Sequence, residues 1–284
     1  MLFIEIIKAI LLGIVEGITE WLPVSSTGHM IILDELISLK VTEEFLELFL
    51  VVVQLGAIAA VPVYFFNRLN PFSKKKSEIE RKATWSLWFK VFVGVLPAAV
   101  IGVLLDDFLD DHLYNYIVVS IALIVYGVVF VLIEKLRKNK AENGLCERYR
   151  VEKIEDLSYT DALRIGAFQM LSLVPGTSRS GSTIIGGMLT GVSRTVSAEF
   201  SFFMAIPVMI GASLLKIYKF IDGGFSVSNT ELLLLFVGIL VSFIVSLFII
   251  KFLMDFVKNH TFAPFGIYRI ALGVMVLLFF LIRN

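Results

Sequence analysis

Two acidic residues lie four positions apart in an otherwise apolar segment near the start of the chain. Glu16 and Glu20 share one face of a predicted helix, because residues four apart on a helix are neighbours. Like charges so placed repel each other unless a cation lies between them. Either both acids are hydrated at headgroup level, or they bind a metal ion or exchange protons. Acidic residues inside membrane segments usually face a cavity, which favours the second interpretation.

Three hydroxyl residues and a histidine follow the acids: Ser25, Ser26, Thr27 and His29. Hydroxyls just before a helix are ordinary N-caps, and this is one interpretation of them. The other is chemical, because His29 lies within one turn of the hydroxyls and close in sequence to the two acids. The segment then supplies a nucleophile, a base and an orienting group.

A second glycine- and serine-rich turn, residues 175–183, also precedes a predicted helix. A helix N-terminus offers unpaired N–H groups and a positive dipole, which suit phosphate. The planar guanidinium of Arg179 matches phosphate oxygens. Alternatively, Arg179 pairs with a glutamate inside the protein or extends to the membrane interface. The residues expected to bind an anion at the two turns are Ser25, Thr27, Gly176, Thr177, Ser178, Ser180 and Thr183.

The composition places these segments in a membrane protein. Of the 284 residues 57% are hydrophobic and 18% are charged, against roughly 25% charged in soluble domains. The 25 basic and 25 acidic residues cancel, so no basic domain for nucleic acid is expected. Cys146 is the single cysteine, which excludes an internal disulfide.

Six stretches are long and apolar enough to cross a bilayer, which takes roughly 20 residues. Two further apolar regions, 1–36 and 160–190, are interrupted by Pro, Gly, Ser and Thr. Their arms are too short to cross, so each region is predicted to be a re-entrant helical hairpin buried within the bundle. The predicted spans are 45–66, 85–105, 113–133, 197–218, 231–253 and 265–282.

The two interrupted regions resemble each other. At an offset of 153 residues, Gly13 aligns with Gly166 and Gly28 with Gly181. The sequence therefore predicts an all-α membrane protein with two repeats, about 1–134 and 160–284, joined by a cytoplasmic linker at 134–159. Each repeat holds one hairpin and three spans, so the second repeat is expected to be inverted, with the site near the midplane.

The charges of the connections predict the orientation. Basic residues are concentrated in the 67–84 loop and the 134–161 linker, which are therefore expected on the cytoplasmic side. Four acidic residues are predicted to form an outside loop between the second and third spans: Asp106, Asp107, Asp110 and Asp111. Inverted repeats with broken helices are also typical of secondary transporters, so a carrier of a lipid phosphate or small anion is the alternative function.

Two long motifs carry a family resemblance. EGITEWLPVSSTGHM (16–30) and LVPGTSRSGSTIIGG (173–187) resemble those of the bacterial undecaprenyl-diphosphatases, the bacitracin-resistance phosphatases. The resemblance implies hydrolysis of undecaprenyl diphosphate to undecaprenyl phosphate and phosphate. This reaction recycles the lipid carrier of peptidoglycan synthesis. It also implies a multi-pass protein of the bacterial plasma membrane whose active site opens to the outer side.

The resemblance also implies roles for individual residues. The family's acid pair falls on Glu16 and Glu20, which agrees with a requirement for Mg²⁺ or Ca²⁺. Its catalytic serine and histidine fall on Ser26 and His29, and its second-motif residues on Ser178, Arg179 and Thr183. Besides the polyprenyl diphosphate and the bilayer no partner is implied, and a homodimer is left open.

The mechanism expected from these residues begins with attack of Ser26 on the terminal phosphorus. His29 and Glu20 handle its proton, Glu16 and Glu20 hold the metal, and Arg179 stabilises the transferring phosphoryl group. His29 as nucleophile is the alternative.

Overall fold

The computed structural model describes residues 2–37, 39–113, 115–142 and 149–283. Within these ranges the chain is helical, apart from turns and one isolated β-bridge between Val151 and Val192. The helices are α1 (Leu2–Thr19), α2 (Ser26–Ile37), α3 (Glu43–Tyr64), α4 (Phe66–Leu69), α5 (Glu78–Leu113), α6 (Tyr116–Glu142), α7 (Tyr159–Gln169), α8 (Arg179–Leu189), α9 (Arg194–Asp222), α10 (Asn229–Asn259) and α11 (Ala263–Arg283). Two 3₁₀ turns, Ile154–Asp156 and Met170–Leu173, complete the list.

Six of the described helices are long and apolar enough to cross a membrane, which confirms the predicted number of spans. They are α3, α5, α6, α9, α10 and α11. Polar caps fix several of their starts: the side chains of Thr42, Ser193 and Ser228 each accept a hydrogen bond from a first-turn N–H. The two interrupted regions form the helix pairs α1–α2 and α7–α8, and their re-entrance into the membrane stays a prediction.

Residues 106–111 do not form the predicted loop, whereas their placement on the outer side stays a prediction. Residues 106–111 lie inside α5, which continues to Leu113, and α6 begins at Tyr116. No glycine or proline follows Gly102 before the end of the helix, so nothing in the sequence breaks it. The third span therefore starts three residues later than predicted. Residues 143–148 of the predicted linker, with Cys146, lie outside the described residues.

Each broken helix pair packs on a long helix from the other half of the chain. α1 crosses α10 where Gly13 faces Gly238, and a Cβ on Gly13 would lie 2.8 Å from the carbonyl oxygen of Gly238. α7 crosses α5 where Gly166 faces Gly94, and a Cβ on Gly166 would overlap the carbonyl oxygen of Gly94. Small residues let helix backbones approach this closely. Each broken helix pair thus contacts a helix of the other half of the chain.

The pair α6 and α11 packs in the same way. A Cβ on Gly127 would lie 2.7 Å from the carbonyl oxygen of Gly266, and a Cβ on Gly266 would lie 2.7 Å from that of Gly127. The two helices therefore cross at a reciprocal pair of glycines. This crossing fixes α11 against α6 close to the broken helices.

Polar contacts join the connections at one end of the bundle. Glu134 in the second half of α6 accepts hydrogen bonds from Arg194 at the start of α9, at 2.9 and 2.5 Å, and from the N–H of Phe262 before α11, at 3.0 Å. Arg194 also donates to the hydroxyl of Tyr149 in the linker, at 2.7 Å. At the other end, Lys216 of α9 pairs with Glu47 of α3 at 2.6 Å. The two sets of contacts therefore lie at opposite ends of α9.

Candidate active site

The first loop, residues 20–25, lies between α1 and α2. Glu20 extends the first helix, with its N–H bonded to the carbonyl of Glu16 at 3.1 Å. Trp21 is fully buried, and its ring meets Phe202 of α9 edge-on with 5.0 Å between centroids. This packing holds the loop in the protein interior, so that Glu20 is placed there as well.

The second loop, residues 174–178, lies before α8. Gly176 has φ +89°, and a Cβ there would lie 2.6 Å from the carbonyl oxygen of Val119. Both the backbone conformation and the close approach to α6 require glycine. Thr177 is fully buried.

Ser25 and Ser178 stand at equivalent places in the two loops. Each has φ 72°, and they are the non-glycine residues with positive φ among those that the structure describes. They are 178 − 25 = 153 positions apart, the offset of the repeat. Each side chain accepts a hydrogen bond from the N–H three residues later, Gly28 at 3.4 Å and Gly181 at 3.1 Å. Both serines therefore act as N-caps, and strained backbone of this kind is concentrated at functional sites.

The two loops meet, as the sequence predicts. Arg179, the first residue of α8, donates from Nη2 and Nε to Oε1 of Glu20, at 3.0 and 3.3 Å. Ser180 donates from its hydroxyl to the backbone carbonyl of Glu20, at 3.1 Å. The ion pair is buried, with side-chain exposures of 8% and 6%. This ion pair therefore joins two residues that lie 159 positions apart in the chain.

Ser26 contacts the other oxygen of the same carboxylate. Its hydroxyl lies 3.3 Å from Oε2 of Glu20. The two ring nitrogens of His29 contact other groups, the carbonyl oxygen of Ser25 and the hydroxyl of Tyr268, each at 2.7 Å. The structure thus brings Ser26 and Glu20 together and directs His29 elsewhere.

Arg179 is held from a second side by α9. Nη1 donates to the carbonyl oxygen of Ser201 at 2.7 Å, and the hydroxyl of Ser201 lies 2.6 Å from that of Thr183. The sequence gives no indication of Ser201, because this residue lies within an apolar span with no motif around it. Thr183, which was predicted, reaches the site through this contact.

Arg269 in α11 connects both loops, and it was also missed. The side chain is fully buried. Its guanidinium donates to the carbonyl of Pro23 in the first loop, at 3.2 Å, and to those of Gly176 and Thr177 in the second, each at 2.9 Å. A charged residue in the middle of an apolar span is itself a signal of a functional site, and this one stood in the predicted span 265–282.

The remaining predicted residues differ in their surroundings. Glu16 is buried, and its Oε1 has no hydrogen-bond partner among the described residues. Thr27 is half-buried in the first turn of α2. Within the part of the chain that the structure describes, no three His, Cys, Asp or Glu side chains form a metal-binding group.

Comparison with known proteins identifies the family. Residues 9–275 match the family model of the bacitracin resistance protein BacA. The chain belongs to this family. It is similar to an undecaprenyl-diphosphatase of Enterococcus faecalis, with 53% identity over 98% of both chains. It is also similar to those of Acetivibrio thermocellus, with 54% identity over 98% of both chains, and Streptococcus mutans, with 51% identity over 100% of this chain and 99% of the other.

Membership of the BacA family confirms the resemblance carried by the two motifs. The matched region contains both loops and all of α3 to α10. The geometry of the loops suits phosphoryl chemistry, since a hydroxyl, a carboxylate and a guanidinium adjoin one another at a helix N-terminus. In that first turn of α8 the N–H groups of Arg179 and Ser180 lie before the first intrahelical hydrogen bonds. They can therefore bind anionic oxygens.

Proposed function

We propose that this protein is an undecaprenyl-diphosphatase, which hydrolyses undecaprenyl diphosphate to undecaprenyl phosphate and inorganic phosphate. The observation that carries the proposal is the contact of Glu20 with both Ser26 and Arg179. One carboxylate thereby connects a hydroxyl nucleophile to a cation that suits phosphoryl oxygens. Relatives named undecaprenyl-diphosphatase are more than 50% identical to this chain over nearly its full length, and they support the same substrate.

Ser26 is the nucleophile in this mechanism. Its hydroxyl proton passes to Oε2 of Glu20, at 3.3 Å, as Oγ attacks the terminal phosphorus. The bond between that phosphorus and the bridging oxygen breaks, and undecaprenyl phosphate leaves. Water then attacks the phosphoserine, and inorganic phosphate is released as Ser26 recovers its proton. The alternative is that His29 is the nucleophile.

Arg179 and the N-terminus of α8 stabilise the charge of the transferring group. The guanidinium is fixed on two sides, by Glu20 and by the carbonyl of Ser201, so it needs little reorganisation during the reaction. Prealigned positive groups are the largest contribution to catalysis in many enzymes. Ser178, which caps α8, keeps the N–H groups of that turn in place.

A divalent cation, Mg²⁺ or Ca²⁺, fits beside Glu16. The buried Oε1 of this residue lacks a partner, and hard cations take carboxylate oxygens together with phosphate oxygens of a substrate. Glu16 and Glu20 would hold the ion, which would neutralise charge on the diphosphate. Glu16→Gln is expected to raise the metal concentration needed for half-maximal activity. A defect that is the same at every metal concentration would contradict ligation by Glu16.

The proposed reaction takes place at the membrane surface. The site opens to the outer face of the bacterial plasma membrane, in line with the basic connections expected on the cytoplasmic side. Hydrolysis there recycles the lipid carrier for peptidoglycan synthesis. The polyprenyl chain lies among the spans.

The test is phosphate release from undecaprenyl diphosphate by the purified protein in detergent, with and without a chelator. We expect release that stops with the chelator and returns with Mg²⁺ or Ca²⁺. Transport requires two compartments, whereas hydrolysis does not. Phosphate release in detergent therefore distinguishes a phosphatase from a transporter. No release under any metal condition would overturn the proposal.

Trapping identifies the nucleophile. We expect an acid-stable phosphate on Ser26, which is lost in Ser26→Ala. The control is Ser226→Ala, which should retain the phosphate, because Ser226 is an exposed residue of the α9–α10 connection. An acid-labile adduct that survives in Ser26→Ala would instead assign the attack to His29.

A further inference from the structure

His29 has a hydrogen-bond partner that neither motif contains. Its Nε2 lies 2.7 Å from the hydroxyl of Tyr268, a half-exposed residue of α11, and the two rings are within 10° of parallel. Its Nδ1 lies 2.7 Å from the carbonyl oxygen of Ser25. The imidazole is therefore held at both nitrogens, by its own loop on one side and by the last helix on the other.

These partners determine where the protons are. A carbonyl oxygen only accepts, so Nδ1 of His29 carries the proton that is donated to Ser25. A neutral imidazole, the usual form at pH 7, then has its lone pair on Nε2, and the hydroxyl of Tyr268 donates to it. Nε2 is thus the basic nitrogen, and it points to Tyr268.

Packing of α11 fixes the position of Tyr268 relative to His29. Arg269, the neighbour of Tyr268, donates to carbonyls of both loops, which sets the rotation and height of α11 at this point. From the other side α2 carries Ile31 and Ile32, which pack on the apolar cluster that α6 and α11 share. The helices that bear His29 and Tyr268 are therefore held in register independently of the hydrogen bond between them.

Ser26 and His29 consequently belong to separate hydrogen-bonded pairs. Ser26 contacts Glu20, and His29 contacts Tyr268. Glu20 and His29 can each accept a proton. Hydrolysis through a phosphoserine has two steps, and each step releases one proton. One pair can therefore serve the first step and the other pair the second.

We propose that Tyr268 positions His29 as the base for the second step, the hydrolysis of the phosphoserine; this rests on the proposed function. Glu20 takes the proton of Ser26 in the first step. In the second, water enters between the tyrosine hydroxyl and Nε2, where Tyr268 still holds it by a hydrogen bond, and attacks phosphorus as its proton passes to His29. The bond between Oγ of Ser26 and phosphorus breaks, and Oγ recovers the proton from Glu20. His29 then loses its proton to solvent, so all groups return to their starting states.

The test is Tyr268→Phe, which keeps the ring and removes the hydroxyl, with Tyr218→Phe as the matched control on the exposed side of α9. We expect kcat to fall about tenfold with little change in KM, since a base that is less well oriented loses part of its effect. The steady-state amount of acid-stable phosphoserine is expected to rise in Tyr268→Phe and to fall in Glu20→Gln. A merely structural loss would slow both steps, so a fall in kcat without accumulation of phosphoserine would overturn the proposal.

A second measurement does not depend on activity. The ¹⁵N spectrum of labelled imidazoles is expected to show His29 with a protonated Nδ1 and an unprotonated, hydrogen-bonded Nε2. The Nε2 resonance should move in Tyr268→Phe and stay in place in Tyr218→Phe. An unmoved resonance would mean that the pair does not exist and would overturn the inference. Absence of phosphate release by the unaltered protein, with the expected spectrum, would instead remove the proposed function.

Discussion

Glu20 has partners from three directions. One carboxylate oxygen faces Ser26 and the other faces Arg179, and its backbone carbonyl accepts from Ser180. The motifs predicted that these side chains meet, because each follows a break in an apolar segment. Tyr268, Arg269 and Ser201 were not predicted, since they reach the site only through long-range packing of α9 and α11. Of these only Arg269 left a signal in the sequence, a charge inside an apolar span.

At this scale we predict that Arg179→Ala lowers kcat by about 10²- to 10³-fold, the cost of removing a group that stabilises transition-state charge. Phosphate release by the purified variant measures the effect. Arg164→Ala is the control, because Arg164 lies exposed on α7 of the same hairpin. Turnover near that of the control would remove Arg179 from the catalytic machinery.

The helices position the site through close crossings. The sequence predicted the six spans because a long apolar run is an unambiguous pattern, and it predicted the two breaks from Pro, Gly and Ser. It did not predict which helix each broken pair contacts. That choice depends on glycines such as Gly94 and Gly238, whose partners lie more than 70 residues away. The sequence did not predict that α5 continues to Leu113, because the four aspartates near its end favour a loop.

We predict that Gly166→Ala destabilises the protein, because its new methyl group would overlap the carbonyl oxygen of Gly94 and force α7 away from α5. Overpacking of this kind costs about 1–3 kcal/mol. Thermal unfolding in detergent measures it. Gly211→Ala in α9 has open space around the new methyl group and should leave the melting temperature unchanged or slightly raised. Equal effects of the two substitutions would contradict the close crossing.

The start of α7 is held by the linker through Asp161. Burial raises the pKa of this carboxyl, but hydrogen bonds from Arg150 and Ser158 outweigh it and hold the pKa below its ordinary value. A lowered pKa stabilises the folded state above the unfolded value, about 3.9, and this stabilisation is lost as the pH falls through the folded value.

Asp161→Asn should therefore lower the melting temperature at pH 7. The difference from the unaltered protein should shrink as the pH falls below about 4, where both side chains become neutral. Melting curves over this range test the prediction. A difference that persists undiminished at the lowest pH would show that the charge of Asp161 is not its cause.

At the scale of the whole molecule, the exchanged contacts of the two halves agree with a repeat, and the inversion of the second half stays a prediction. It follows from the odd number of spans between the hairpins and from the charges of the connections. Both are properties that a sequence displays directly.

Labelling of single cysteines in intact cells tests the orientation. In a Cys146→Ser background, Lys75→Cys in the 67–84 loop should resist a membrane-impermeant thiol reagent, whereas Ser226→Cys between α9 and α10 should react. Both positions are exposed, so burial does not account for a difference. The opposite pattern would place the basic connections outside.

The crossing of α1 on α10 has a consequence for biosynthesis. Gly238 is translated about 225 residues after its partner Gly13, whereas Gly94 already exists when Gly166 emerges. The second hairpin can dock as soon as it is translated. The first, with its buried acids, cannot pack on its partner helix until α10 has been translated, so the candidate site is assembled only after residues of both halves have been made.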